Sequence, residues 1–85
     1  MRIVMVYREA SEHRMAVESF IRDFEIQTGG KIEVINPDTR EGNAFCDVYD
    51  VVEFPTMLAL TVDGSPVAVW RGTSFPTISE ASAYN

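Results

Sequence analysis

The run Ile3-Val4-Met5-Val6-Tyr7 is unbroken and apolar, and it stops abruptly at Arg8-Glu9. It is too short for a membrane-spanning helix, which needs about 20 apolar residues. It is also shorter than the apolar core of a secretory leader, about 7–15 residues. Its β-branched content and sharp charged end fit a strand buried on both faces, as in a parallel sheet. Such a strand constrains everything after it. A parallel neighbour has to be reached through a crossover, normally a helix, and the crossover should be right-handed.

The chain supplies these parts in order. Ser11 offers a helix N-cap with Glu12 in the first turn, where the helix dipole favours an anion. Val17, Phe20, Ile21 and Phe24 follow at i, i+3, i+4 and i+7, the stripe of an amphipathic helix. Thr28-Gly29-Gly30 supplies the stop, since glycine accepts the left-handed conformation that ends many helices. Residues 31–35 read as a second strand, and Asn36-Pro37-Asp38 turns the chain out of it. Between residues 39 and 49, Ala44, Phe45, Val48 and Tyr49 share one face of a short helix whose start Gly42 weakens.

Residues 57–62 read as a third strand, Asp63-Gly64 as a hairpin turn, and residues 66–71 as the returning fourth strand. Pro66 is tolerated at a strand's first position, and Gly72 closes the strand. Thr77-Ile78-Ser79-Glu80 has the spacing of a capping box and begins a last short helix running into Tyr84. The reading is a single α/β domain over residues 1–85, β-α-β-α-β-β-α, with a four-stranded mixed sheet of order 2-1-3-4 and helices on both faces.

The formal net charge of −6 argues against a general nucleic-acid role, because a polyanion would be repelled. Arg2, Arg8, Arg14 and Arg22 are interleaved with Glu9, Glu12, Glu18 and Asp23, so no basic stripe forms. Cys46 is the only cysteine, which rules out an intramolecular disulfide and a CxxC metal knuckle and fits a reducing compartment. A soluble, cytoplasmic protein is expected, without membrane attachment. No cofactor or metal is expected either, since glycine-rich phosphate loop, HExxH and Asp-rich calcium loop are all missing from the sequence.

In its second half the chain resembles the thioredoxin-like superfamily, which includes thioredoxins and glutaredoxins. Tyr49-Asp50-Val51-Val52-Glu53-Phe54-Pro55-Thr56 is similar to that family's tyrosine, turn, aliphatic and x-Pro-Thr segment. The strand Met57-Leu58-Ala59-Leu60-Thr61-Val62, the Asp63-Gly64 turn and Val67-Ala68-Val69-Trp70-Arg71-Gly72 match its hairpin and terminal glycine. The resemblance implies that Pro55 is the family's cis-proline and that Phe54 flanks a groove for an extended peptide. It also places the family's CxxC at the start of the first helix, where this chain reads Ser11-Glu12-His13-Arg14. Dithiol exchange needs a thiolate there and a second thiol to resolve the mixed disulfide. Neither is present, so that reaction is excluded.

The remaining candidates each have a plain structural reading. Ser11 serves as a cap, and His13 is a solvated first-turn histidine near Glu9 and Glu12. Arg14 sits unfavourably at a helix N-terminus and is explained by pairing with Glu18 at i+4, although a small anion would also suit that turn. Cys46 behaves as a small hydrophobe, with Asp47 raising its pKa. Asp47, Asp50 and Glu53 are ordinary solvated carboxylates. Trp70 either packs on the last helix or stands exposed at the sheet edge; alternation leaves both open.

The expected function is a non-catalytic peptide- or protein-binding domain or adaptor. Phe54, Pro55 and Thr56 form one lip of its groove, and Ser11, His13 and Arg14 form the other. One alternative is a monothiol or glutathione-linked redox protein using Cys46 or the turn from Ser11 to Arg14. Another is a regulatory interaction protein like the cyanobacterial clock component KaiB, which uses this fold without CxxC. The partner is expected to be a protein or peptide, and the chain a monomer or a weak homodimer joined through its fourth strand.

Overall fold

The computed structural model describes residues 1–84. Its elements in chain order are β1 (Arg2–Val6), α1 (Arg14–Thr28), β2 (Ile32–Ile35), α2 (Arg40–Tyr49), β3 (Thr56–Leu60), β4 (Pro66–Arg71) and α3 (Ile78–Ser82). The sheet order is β2-β1-β3-β4. β1 runs parallel to β2, with Ile3 opposite Ile32, and antiparallel to β3, with Val4 opposite Leu58. β3 and β4 form the antiparallel hairpin, irregular between Ala59 and Leu60. The fold class is the α/β arrangement expected from the element order.

Alternation along β1 divides the core in two. Ile3, Met5 and Tyr7 face α1 and α3, where they meet Val17, Phe24 and Ala81. Val4 and Val6 face α2, where they meet Cys46, Val51, Leu58 and Leu60. Trp70 belongs to the first side, meeting Tyr84 edge-on at 5.6 Å between ring centroids, whereas Val69 belongs to the second. That settles the position left open by alternation: the indole packs beside the last helix.

Two local readings near helix starts differ in the structure. α1 begins at Arg14 rather than after Ser11, and its N-cap is His13 in helical backbone geometry without a side-chain cap. Ser11 instead sits in consecutive reverse turns. Its amide donates to the Arg8 carbonyl at 3.1 Å, and its own carbonyl accepts from the Arg14 amide at 3.3 Å. The chain thus enters the helix from turn geometry, whereas a capping side chain needs an extended residue before the first turn. Consequently no acidic residue lies in the first turn of α1.

Gly42 is the second difference, because it is required by packing. Thr39 caps α2, accepting from the Gly42 amide at 2.9 Å while its hydroxyl donates to the Asn36 carbonyl at 2.9 Å. This draws the β2–α2 turn against the first turn of the helix. A Cβ at residue 42 would run into the Asn36 carbonyl and come within 2.9 Å of the Thr39 hydroxyl oxygen. Gly29 ends α1 at φ 73° and Thr77 and Glu80 form a reciprocal capping box, as expected, while the third strand stops at Leu60 rather than at residue 62 and the last helix at Ser82 rather than at Tyr84.

Two outcomes follow for stability. Gly42→Ala gains up to about 1 kcal/mol of helix propensity but clashes with backbone, so denaturant melts should show a net loss of about 1–3 kcal/mol. Arg2 grips Glu33 through two bonds of 2.8 and 3.0 Å, holding that carboxyl below its ordinary pKa mainly by hydrogen bonding. Its stabilisation is present above the unfolded-state pKa and disappears as pH falls through the lower folded-state value. Because both side chains are half-exposed, Glu33→Gln should cost less than about 1 kcal/mol at neutral pH. Melts in acid should show no difference.

Candidate functional site

The Phe54–Pro55 peptide bond is cis. Around it the backbone is held at two points. The Pro55 carbonyl accepts from the Gly72 amide at 2.8 Å, tying the bend to the end of β4. The Thr56 hydroxyl donates to the Glu53 carbonyl at 2.6 Å, closing the turn from inside. Pro55 and Thr56 are both buried, so their side chains support the bend and present no surface. Phe54 is half-buried against the α2-side core, and its amide and carbonyl make no hydrogen bond among the described residues.

Arg8 organises the space beside Phe54. Its guanidinium carbon lies 4.6 Å over the centre of the Phe54 ring, within cation–π range. Its Nε donates to both oxygens of Asp38, at 3.1 and 3.0 Å. One side chain therefore links the end of β1, the β2–α2 turn and the residue before the cis-proline. The sequence reading gave Arg8 no role beyond ending an apolar run and joining a set of arginines interleaved with acids. Its separation from Phe54 in the sequence hides the contact, and only the parallel arrangement of β1 and β2 brings Asp38 and Arg8 to the same end of the sheet.

These residues wall an open cavity of about 620 Å³ between the start of α2, the Val51-Val52-Phe54 segment and Arg8. Pro37, Val51, Val52 and Phe54 give it an apolar side; Asp38, Arg40, Asn43 and Asp47 give it a polar one. The ionised groups balance, two arginines against two aspartates. Cys46 lies in its wall and is 8% exposed. Burial first, and the Asp47 carboxylate second, push its thiol pKa up, against a smaller downward pull from Arg8. At neutral pH the sulfur is therefore a protonated thiol, the opposite of an activated nucleophile.

Ser11, His13 and Arg14 are not among the residues lining this cavity. Arg14 pairs with Glu18 at 3.2 Å, as the i+4 spacing anticipates. The same carboxylate accepts from the Tyr7 hydroxyl at 3.3 Å, which draws Arg14 toward the α1 side of the sheet. His13 lies 3.7 Å from its neighbour Glu12. Among the described residues no cluster of three metal-ligating side chains occurs, and no helix is long and apolar enough to cross a membrane.

No family model matches the sequence, and no curated protein matches it significantly. Solved structures do resemble it. Thioredoxin 1 from the thermophilic eubacterium Thermosipho africanus superposes with a TM-score of 0.70 at 19% identity, over 99% of this chain and 89% of that one. A malarial protein superposes with a TM-score of 0.69 at 11% identity, over 95% and 90% of the two chains. Identities this low establish architecture alone. The chain has a thioredoxin-like fold.

Proposed function

We propose that this chain is a non-catalytic binding domain that takes up an extended segment of a partner protein beside the cis-proline, as an adaptor in the cytoplasm. The observation that carries the reading is the unpaired main chain of Phe54, next to an anchored bend and an open cavity. An amide and a carbonyl in that state can pair with a peptide backbone, which is how strand-like recognition gains affinity. The cavity then receives a side chain, with apolar contact from Val51, Val52 and Phe54 and polar contact from Arg40 and Asn43. Arg8 keeps Phe54 in place before the partner arrives, so less ordering is needed on binding. A protonated, nearly buried thiol favours this reading over a monothiol enzyme.

Two experiments test it. Alkylation of Cys46 in the folded protein should be slow at neutral pH and should titrate above the usual thiol value of about 8.5. A rate titrating below that value would restore a redox role. Peptides selected from a displayed random library should lose about tenfold or more in affinity on Phe54→Ala, as expected for a hot-spot aromatic. Arg8→Ala should weaken the same peptides. Selected peptides indifferent to both substitutions would remove this groove as the binding site.

A further inference from the structure

A second surface is built for recognition, independent of the cavity beside Phe54. β2 is an outer strand of the sheet, and its hydrogen-bonding edge can be assigned residue by residue. The Ile35 carbonyl accepts from the Tyr7 amide at 3.2 Å, so Ile35 turns its peptide groups toward β1. By alternation Glu33 does the same, while Ile32 and Val34 turn theirs to the open side. The Ile32 amide is already taken by the Glu25 carboxylate at 3.3 Å. Among the described residues, what stays open is the Ile32 carbonyl and both main-chain groups of Val34.

That edge runs between two grooves. On the α1 side a cavity of about 480 Å³ is lined by Val34, Ile21 and Ile26, with Arg22, Glu25 and Lys31 at its margin. On the α2 side a cavity of about 500 Å³ is lined by Val34, Ile35 and Phe45. Side chains of an added strand alternate between the two faces. A residue paired with Val34 would therefore place its side chain against Ile21 and Ile26, and the next residue against Ile35 and Phe45. Val34 and Ile26, 51% and 74% exposed, are left in water by the chain itself.

We propose that the β2 edge binds one extended segment of a partner polypeptide as a fifth strand, centred on Val34, with aliphatic side chains at consecutive positions. Two features select a single segment over a second copy of this chain. β2 has only four residues, about 13 Å of strand, too little ladder for the roughly 1,200–2,000 Å² that stable association buries. α1 and α2 also wall the edge on both sides. The groove on each side is lined for the alternating side chains of one extended strand. Glu18 joins Arg22, Glu25 and Lys31 in the α1-side lining, two acids against two bases, so the bound residues there are expected to be uncharged.

Hydrogen exchange followed by NMR tests this. The probe is the acetylated, amidated heptapeptide lysine-threonine-valine-isoleucine-valine-threonine-lysine, with a control carrying proline in place of isoleucine. The heptapeptide should slow exchange of the Val34 amide at least about tenfold, and the control should not. Ile26→Glu should abolish the slowing while the β1 amides keep their protection, which shows that the fold is intact. Phe54→Ala should leave the effect unchanged, which separates this edge from the cavity site. Slowing that survives Ile26→Glu, equal slowing by the control, or no slowing would overturn the proposal. So would protection of Val34 that grows with protein concentration alone, the mark of a second copy.

Discussion

β1 is bonded along both edges and covered on both faces, and every other element takes its place from that. Its parallel partner forces the crossover through α1, and its antiparallel partner brings the β3–β4 hairpin back to the other side. Because its residues alternate, one five-residue strand seeds two cores, one under α1 and α3 and one under α2. A domain this small buries only about 60% of its unfolded surface. Little else can compensate if this strand is disturbed. Val4, Met5 and Val6 are completely buried, and truncating any of them would open a cavity shared with a neighbouring element.

Features set by local chemistry were legible in the sequence. The apolar run, the i, i+3, i+4 stripe of α1, the glycine stop and the Thr77–Glu80 box each depend on residues a few positions apart, and each appears where expected. The start of α1 was not legible, because Ser11 can serve either as a cap or within a turn. Backbone bonds from Arg8 and Arg14 decide for the turn. Gly42 was misread for a related reason. Helix propensity treats glycine as a weakness, but here the Asn36 backbone approaches so closely that no side chain fits. Such an approach belongs to the turn and the helix jointly.

The candidate site divides along the same line. Phe54 and Pro55 could be picked out by resemblance, since the segment around them is contiguous. Arg8 could not, because its role is created by three segments far apart in sequence. In the folded chain its guanidinium lies over the Phe54 ring while its Nε donates to Asp38. Arginine suits this position because its planar guanidinium stacks and hydrogen-bonds at the same time; a lysine ammonium would do only one.

The size of the domain also explains why sheet edges and grooves stay open at all. Four strands give two outer edges, and three helices cannot cover both faces out to those edges. The two edges are treated differently. β4 begins with Pro66, which has no amide to offer, and ends with Arg71, a charge that discourages another strand. β2 is guarded at one rung only, by Glu25 on the Ile32 amide, and Val34 is left open between apolar walls. An edge open to aggregation would be longer and flatter. One that is four residues long, walled by helices and blocked at its first rung admits a single segment in one register, which is the geometry of selective strand addition rather than of uncontrolled sheet growth.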